Sequence, residues 1–461
     1  MAMVVKNNMS AVNTLNTLNK NQSALSQSLQ KVSSGMKINS AGDDASGMAI
    51  SERMRVQVRS LDQDDKNTKN GAALLRTAEG AVQSTIEVLK TLKEKAINAA
   101  NDTNTDGDRR LIQIEVDKMI DQIDENALTT YNGKYLVDGS RNGFVGGELP
   151  AGNGTQTSLT NMSLATDTDG LTPLVELKRR DGNDVGINPS DTITATWVRN
   201  GITYTGSISP IGNTLDINAA IGIITAAHAG IYSTNELVGV DAYGRDVYTP
   251  DNQPGITIRA NVPGVYGQIA GVSFCVTDSE GKMRNEVNAV LDAFKETVRA
   301  ENPSPDNALV LQTGTRANQE IKVGFTDMRS VALGLQSQNG AGWDRNLAPL
   351  GPGIDVVGAG PKIQVTTREA ANAAINVFES ALIKATDEAV NIGAVQNRLK
   401  YTSNNLVVAS ENVQASESTI RDADMAKEMT AYTKNNVLTQ AAQAMLAQAN
   451  QNSSTVLSLL K

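Results

Sequence analysis

The sequence predicts a mainly α-helical protein, in which long terminal helices pair as a coiled coil or helical rod and an α+β outer domain is inserted between them. Three observations support this prediction. No aromatic residue precedes Tyr131, and all twelve prolines lie between Pro150 and Pro361. Both flanks carry apolar residues at the three-and-four spacing of packed helices. The chain therefore has two proline-free flanks and a middle of different character.

The last hundred residues, 362–461, contain no proline and one glycine, Gly393. Their apolar residues recur every seven positions, and small residues follow three positions later: Ile392, Leu399, Leu406, Val413 and Ile420, then Val395, Thr402, Ala409, Ser416 and Ala423. This pattern predicts a long helix packed closely along another. Thr366 and Glu369 predict a capping box at its start. An unbroken helix of this length would reach about 150 Å, so we expect the N-terminal flank to lie beside it.

The N-terminal flank repeats the same spacing, with one polar interruption at Gln22: Leu15, Leu18, Gln22, Leu25, Leu29, Val32 and Met36. Up to Gly42 it has four lysines and no carboxylate, and after Glu428 the only charged residues are Lys434 and Lys461. Helical tips with so few charges suit burial against copies of themselves. An ordinary coiled coil within one chain is the alternative. In either case, two helices with so few aromatics bury too little surface to order alone, so we expect disorder before assembly.

The next elements follow from turn residues. Gly42 and Gly47 flank Asp43 and Asp44, which predicts a helix break around 39–47 and a cap for the next helix. A second helix is expected over 45–101, with its apolar seam at Met54, Val58, Leu61, Ala72, Leu75, Val82, Ile86 and Leu89. A third, antiparallel helix carries Ile112, Val116, Met119 and Ile123. The dipeptide at 132–133, Asn-Gly, then predicts a tight hairpin.

Composition excludes several function classes. The net charge of −9 without a basic stripe argues against nucleic-acid binding. One cysteine and one histidine exclude an internal disulfide, a cysteine zinc cluster and an H-E-x-x-H helix. The chain has no apolar run long enough for membrane insertion and no secretory h-region, so we expect export by another route. No catalytic motif is present, and we expect no enzyme activity and no cofactor.

One segment resembles a calcium loop. Four residues, Asp102, Asn104, Asp106 and Gly107, fall where an EF-hand places ligands 1, 3 and 5 and its glycine. Arg110 and Gln113 occupy the later ligand positions, and Gln113 cannot supply the bidentate carboxylate. The same residues are typical of a helix–helix turn. We therefore expect no metal here.

The middle of the chain predicts its own α+β core. Alternating Ile193, Ala195 and Trp197 precede Asn-Gly at 200–201, which indicates a hairpin. A strand is expected at Val272, Phe274 and Val276, and two helices at Ile217, Ile221 and Ile224 and at Val287, Leu291, Phe294 and Val298. Cys275 is expected to be inert, and His228 to end the first helix. A hydroxyl-rich strip could carry O-linked sugars or be an ordinary loop: Thr155, Thr157, Ser158, Thr160 and Ser163.

Three segments resemble bacterial flagellins. Residues 25–52 read LSQSLQKVSSGMKINSAGDDASGMAISE, and residues 420–429 and 440–451 read IRDADMAKEM and QAAQAMLAQANQ. The likeness spans about 1–139 and 364–461. Residues 311–335, LQTGTRANQEIKVGFTDMRSVALGL, look like the β-hairpin segment that shorter flagellins place soon after Asn-Gly at 132–133. The outer domain is thus expected to be inserted within that hairpin region.

The resemblance implies a structural subunit of the extracellular flagellar filament. The implied domains are a terminal assembly domain (1–43 with 428–461), a helical rod with a β-hairpin (44–139 with 309–427) and an outer domain (140–308). The residues expected in self-assembly are Leu15, Leu18, Leu25, Leu29, Val32, Val437, Leu438, Met445, Leu446, Leu457 and Leu460. The implied partners are copies of the chain, an export chaperone, the export apparatus, and cap and hook-junction proteins. The alternatives are the hook–filament junction protein, or a flagellin whose insert is also an adhesin; the metallopeptidase version found in some flagellins fails without a second histidine.

The resemblance also implies a vertebrate innate immune receptor as a partner. Recognised flagellins carry the pattern LQRxRELAVQ, and residues 89–98 here read LKTLKEKAIN. The candidate patch is Lys90, Lys93, Glu94 and Glu115. Thr91 replaces the first arginine, and a hydroxyl cannot replace a planar guanidinium; Lys95 also places a charge where the family has leucine. We therefore expect weakened recognition.

Overall fold

The structure is a computed structural model that describes residues 8–146, 154–168, 171–199, 201–217, 229–233, 237–241, 244–249, 255–337 and 360–459. The chain divides into two compact units. The terminal unit comprises Met1–Lys69, Gln312–Gln319 and Lys400–Lys461, and the central unit comprises Asn70–Leu311 and Glu320–Leu399.

Helices dominate both flanks, as the sequence predicts. In the described part of the chain, the α-helices are α1 (Met9–Ser34), α2 (Ala45–Ala99), α3 (Asp106–Ala127), α4 (Asn285–Leu291), α5 (Arg368–Arg421) and α6 (Met425–Leu459). Asp44 caps α2, because its Oδ1 accepts hydrogen bonds from the amides of Ser46 and Gly47 at 3.0 and 2.9 Å. Thr105 and Asp108 form a capping box at the start of α3. Within the described residues, no helix has both the length and the hydropathy required to cross a bilayer.

The C-terminal flank is not one unbroken helix, which corrects the sequence prediction. It is interrupted at 422–424, where Ala423 donates its amide to Gly35 O (3.0 Å) and Lys37 donates to Arg421 O (2.7 Å). Asp424 then starts α6 by accepting hydrogen bonds from the next amides. The predicted capping box of Thr366 and Glu369 is also wrong: α5 begins at Arg368, and the side chain of Thr367 accepts the Ala370 amide at 3.2 Å. Alanine has no side-chain acceptor, so Thr367 caps the helix without forming a box.

One core of the central unit is formed by α2, α3, α5 and neighbouring strands. Every predicted α2 position in this unit is buried or packed against that core: Ala72, Leu75, Val82, Ile86 and Leu89. Ile392 and Leu399 of α5 and Val116 and Ile123 of α3 join them. Arg109 Nε donates to Ala99 O (3.0 Å) near the start of α3, and Asn126 Nδ2 donates to Ser84 Oγ (3.1 Å) near its end, so α3 runs antiparallel to α2.

The strands form short sheets. Two hairpins confirm the Asn-Gly predictions: β1 (Thr130–Tyr131) with β2 (Lys134–Tyr135), and β5 (Thr192–Arg199) with β6 (Ile202–Ile208). The other strands are β3 (Phe144–Val145), β4 (Ser158–Asn161), β7 (Ala229–Ser233), β8 (Leu237–Val240), β9 (Asp246–Tyr248), β10 (Ile256–Ala260), β11 (Ile269–Thr277), β12 (Phe294–Val298), β13 (Ser304–Pro305), β14 (Leu309–Gln312) and β15 (Glu320–Val323).

The larger sheets follow the orders β12-β4-β10-β7 and β11-β5-β6. Their inward residues form a second core that contains the predicted alternating side chains of β5 and β11: Ile193, Ala195, Trp197, Val272, Phe274 and Val276. Strands β14 and β15 pair as the hairpin expected from the segment 311–335. Cys275 is half-buried, and this burial raises the pKa of its thiol, as expected of an inert cysteine.

Two predictions in the middle of the chain are wrong, and one falls outside the described residues. Phe294 and Val298 lie in strand β12, because α4 ends at Leu291 and residues 294–298 pair with β4. The hydroxyl-rich strip is not an exposed loop: Thr155, Thr157, Ser158 and Thr160 are buried, and the last two lie on the internal strand β4. Ile221, Ile224 and His228 lie outside the described residues.

Strand β11 packs directly on helix α5. A Cβ atom at Gly271 would lie 2.8 Å from Cγ2 of Val377, so glycine permits this approach. Asn376 Nδ2 donates a 2.9 Å hydrogen bond to Val272 O. Val198 and Ala270, from the middle of the chain, belong to the same buried cluster as α2, α3 and α5. The middle and the rod helices therefore share apolar packing.

Candidate assembly site

Helices α1 and α6 pair along their lengths within the terminal unit. The hydrogen bonds between them join Asn8 Nδ2 to Ala449 O (3.1 Å), Asn21 Nδ2 to Leu438 O (3.3 Å), and Asn435 Nδ2 to Ser28 Oγ (3.1 Å). Residue numbers rise along one helix as they fall along the other, so the pair is antiparallel. These hydrogen bonds are made by asparagine and serine side chains, while Leu18, Leu25 and Leu446 are half-buried along the two helices.

Small residues are buried where the two helices meet. Ser28 on α1 and Thr439 and Ala442 on α6 are each less than one-tenth exposed. Small side chains let two helix backbones approach closely, and Thr439 satisfies its hydroxyl by donating to Asn435 O at 2.7 Å. The intrachain seam therefore uses positions that a search for leucines overlooks.

Large apolar side chains are left on the outside of this helix pair. We call them the assembly face: Met9, Val12, Leu15 and Leu29 of α1 with Met425, Met429, Val437, Leu438 and Met445 of α6. Their exposed fractions run from 41% for Leu438 to 63% for Met445. An apolar surface of this kind is typical of a protein–protein contact.

The predicted assembly residues divide into two groups. Leu15, Leu29, Val437, Leu438 and Met445 lie on the assembly face, whereas Leu18, Leu25, Val32 and Leu446 are half-buried. The side chain of Leu457 and the whole of Leu460 lie outside what the structure describes. Sequence reasoning missed Met9, Val12, Met425 and Met429, because it followed leucine spacing in one seam. The lack of carboxylates was an available signal for Met9 and Val12, but not for Met425 and Met429, which lie beside Asp424 and Glu428.

A joint formed by residues 35–38 and 421–424 sets the register of α1 and α6. Gly35 ends α1 with a φ of 72°, a conformation that favours glycine. Met36 then forms an antiparallel bridge with Asp422, beside the two backbone hydrogen bonds at the 422–424 break. Ile38 is 1% exposed beneath this joint. Because both chain segments are interrupted and bonded here, α1 and α6 leave the joint in a fixed alignment.

Arg421 links the joint to helix α2. Its side chain is 9% exposed, and Nη1 lies 2.6 Å from Oε1 of Glu52. Nε lies 3.2 Å from the sulfur of Met36, and Nη1 is 3.5 Å from Ser51 Oγ. The hydrogen bond from Arg421 lowers the pKa of Glu52, so the carboxylate stays charged at neutral pH.

The candidate receptor patch lies on α2 and α3 in the central unit. Lys90, Glu94 and Glu115 are exposed, and Lys93 is half-buried. Two of these residues are paired within the chain: Lys93 Nζ lies 3.1 Å from Glu379, and Glu115 lies 2.7 Å from Lys95 Nζ. The structure therefore places the four side chains on adjacent helices, with two of them already in ion pairs.

The aspartates of the segment that resembles a calcium loop form ion pairs with arginines in this structure. Asp102 contacts Arg109 at 3.4 Å and Arg368 at 3.2 Å, and Asp106 contacts Arg109 at 3.4 Å. Asn104 donates to the α2 backbone. Among the described residues, no cluster of three or more metal-ligating side chains was found. The segment thus works as a helix–helix turn.

Comparison with known proteins agrees with this architecture. Residues 5–142 match the family profile described as the bacterial flagellin N-terminal helical region, and residues 375–460 match the C-terminal helical region. A flagellin of Clostridium tyrobutyricum is 31% identical over 452 residues, covering 97% of this chain and 99% of that protein. A flagellin of Bacillus subtilis is 29% identical over 464 residues and covers both chains fully.

A solved structure of FliC from Burkholderia pseudomallei is 18% identical. It covers 71% of this chain and 99% of its own, with a TM-score of 0.25. A TM-score this low supports no conclusion about the arrangement of the chain. The comparison therefore rests on the family profiles and the relatives found by sequence.

Proposed function

This chain belongs to the bacterial flagellin family, and we propose that the assembly face of α1 and α6 is the surface through which copies of it polymerise. The chain is a structural subunit of the bacterial flagellar filament. The hook–filament junction alternative is less supported, since relatives that span nearly the whole chain are named flagellins. A structural family of this kind is consistent with our proposal that the chain is not an enzyme.

One observation supports the polymerisation surface above all others. The buried positions of the α1–α6 seam are small residues joined by amide hydrogen bonds, and the large apolar residues of the assembly face remain exposed outside it. Fully burying one large aliphatic side chain contributes about 1.5–3 kcal/mol. Each added subunit can bury several such side chains from its neighbours as well as its own. The gain recurs with every subunit and needs no charged interface.

We propose the same three-part division that the resemblance implies. Residues 1–43 with 428–461 form the assembly domain, 44–139 with 309–427 the rod, and 140–308 the outer domain. The location of the assembly face on α1 and α6 supports the first part. The shared packing of Val198 and Ala270 with the rod helices supports an attachment of the third part to the second.

We also propose partners beyond the chain itself. An export chaperone holds the C-terminal segment, whose exposed methionines and valine would otherwise associate early. The export apparatus then delivers the subunit outside the cell, where cap and hook-junction proteins contact the growing filament. Family membership supports the flagellar location.

We propose that recognition by the vertebrate innate immune receptor is weakened. Thr91 stands where the pattern has arginine, and its hydroxyl donates to Glu87 O at 3.0 Å. Lys93 and Glu115 would have to exchange their intrachain ion pairs for contacts with the receptor. Both features reduce the charge available to a partner.

Deletion of residues 429–461 tests the polymerisation proposal. The truncated chain loses most of α6 and is expected to stay unassembled, while the central unit keeps its core. Far-UV circular dichroism checks folding, and sedimentation under assembling conditions checks polymerisation, beside the full chain. Pelleted filaments from the truncated chain would show that the contacts lie elsewhere.

A further inference from the structure

Three carboxylates converge where strand β12 and the residues after it meet helix α5. We call Glu296, Glu301 and Glu388 the junction carboxylates. Glu388, on α5, is 4% exposed, and its Oε2 accepts a 2.8 Å hydrogen bond from Thr326 Oγ1. No donor in the described part of the chain reaches hydrogen-bond geometry with Oε1 of Glu388. A buried carboxylate with a free oxygen is costly unless it carries a proton.

The cations nearby are too few to neutralise this cluster. Lys384 is buried, and its Nζ donates to Ala332 O at 2.9 Å. Arg299 Nη2 lies 2.6 Å from Asp387, and its Nε lies 3.7 Å from Glu296. The junction carboxylates therefore share two cations, one of which already has Asp387 as its close partner.

The other charged groups at the junction have partners of their own. Asp327 lies 2.7 Å from Arg329, Asp241 lies 2.8 Å from Arg245, and Asp306 lies 3.1 Å from Lys322. On α5, the amide of Asn391 faces Glu388. No further cation among these groups offsets Glu388.

Burial, followed by the negative charge of Glu301, raises the pKa of Glu388 to about 7 against the hydrogen bonds from Thr326. Burial also raises the pKa of Glu296 and of Glu301, although Lys384 and Arg299 oppose it. A cavity of about 380 Å³ lies beside the cluster and is lined by Glu301, Thr326 and Asn391 among others. The cavity gives water a path to the edge of the cluster, beside Glu301 and Thr326.

We propose that Glu388 holds a proton that keeps residues 294–301 closely packed on helix α5, and that losing this proton loosens their attachment. The junction between the middle of the chain and the rod is then a pH-sensitive switch. Protonated Glu388 presents no charge to Glu301, the neighbour that it shares with Glu296. Deprotonated Glu388 adds a third buried negative charge that only separation or water entry can relieve.

The direction of the pH effect follows from the raised pKa. Unfolded glutamate titrates near 4.5, and folded Glu388 titrates at about 7. Between these values the folded chain binds a proton that the unfolded chain lacks, so stability falls as pH rises. One such proton changes the unfolding equilibrium constant by up to about tenfold per pH unit. The loss is complete above about pH 7 and absent below about pH 4.5.

Glu388→Gln tests the proposal in the full-length unassembled subunit, with Glu411→Gln as control because Glu411 is exposed on the same helix. Urea unfolding is measured from pH 4.5 to 8.5. The stability of E388Q relative to wild type should increase with pH, to about a 100-fold difference in the unfolding constant by pH 8. E411Q should follow wild type throughout. A difference between E388Q and wild type that does not change with pH would overturn the proposal.

Hydrogen exchange of the wild-type subunit provides a second measurement should E388Q fail to fold. After correction for intrinsic rates, amides of 294–301 should lose protection between pH 6 and 8 relative to amides of helix α3. Equal protection ratios across that range would contradict the switch.

Discussion

The Nη1 atom of Arg421 lies 2.6 Å from Oε1 of Glu52, which ties the last residue of α5 to the second turn of α2. The arginine is nearly buried, whereas 48% of the glutamate side chain is exposed. The same arginine contacts Met36 and Ser51, so one side chain joins three segments at the point where α1 and α5 end.

Arg421→Ala should lower the free energy of unfolding of the terminal unit by about 1–2 kcal/mol, because a buried hydrogen bond to a charged group is lost and solvent screens the exposed side of the pair. Filament formation should slow as the register of α1 and α6 loosens. Urea unfolding and sedimentation measure both effects. Arg55→Ala is the control: Arg55 reaches the same Glu52 oxygen at 3.4 Å from an exposed position, so its loss should cost less than about 1 kcal/mol. Equal effects of the two changes would contradict the role of Arg421.

Val437→Gln and Met445→Gln should each raise the critical concentration for polymerisation about 5- to 30-fold, since partial burial of each side chain contributes about 1–2 kcal/mol. Neither should change the circular dichroism of the subunit, because both side chains are mostly exposed. Leu237→Gln, at a similarly exposed apolar position on β8, is the matched control and should assemble normally. Normal assembly of both α6 variants would remove the assembly face from the interface.

Amides of α1 and α6 should exchange rapidly in a verified monomer and slowly in the filament. Most residues of these helices are exposed to solvent, so local opening costs little until neighbours cover them. Exchange at Leu18, Leu25 and Leu446 is the measurement, and amides of Val116 and Ile123 in the buried α3 core are the internal reference. Slow exchange at the three leucines in the monomer would contradict disorder before assembly.

Thr91→Arg combined with Lys95→Leu should increase potency in a reporter-cell assay for the vertebrate receptor. The double change restores the arginine and the leucine of the recognised pattern, and it frees Glu115 from its 2.7 Å pair with Lys95. Lys118→Leu, which also removes an exposed lysine near that face, is the control. Full potency of the unchanged protein would show that recognition is not weakened.

The long helices and both Asn-Gly hairpins could be predicted because period and turn chemistry are local signals. The residue that caps α5 is Thr367 rather than Thr366, because the hydroxyl of Thr367 accepts the Ala370 amide. The 422–424 break could not be read from α5 alone, since it depends on backbone bonds to Gly35 and Lys37, almost 400 residues earlier.

The sequence predicted which helices carry the candidate site, but not which of their faces is exposed. Leucine spacing located the helices of the assembly face but not which side faces outward. Ser28, Thr439 and Ala442 decide that, because their small size lets the backbones approach and turns the larger neighbours away. Phe294 and Val298 were assigned to a helix because their spacing fits one; pairing with β4 overrode it.

The absence of a side chain at Gly271 has a consequence for engineering. Strand β11 rests on Val377 without an intervening Cβ, and Val198 and Ala270 complete the buried cluster of the rod. A foreign sequence substituted for the whole of 140–308 would thus remove side chains that pack against α5 in the buried cluster. Grafts intended for surface display should keep β5 and β11 and replace an exposed turn, such as residues 181–184. Only the parts of the middle of the chain outside β5 and β11 can be exchanged without removing side chains that pack with α5.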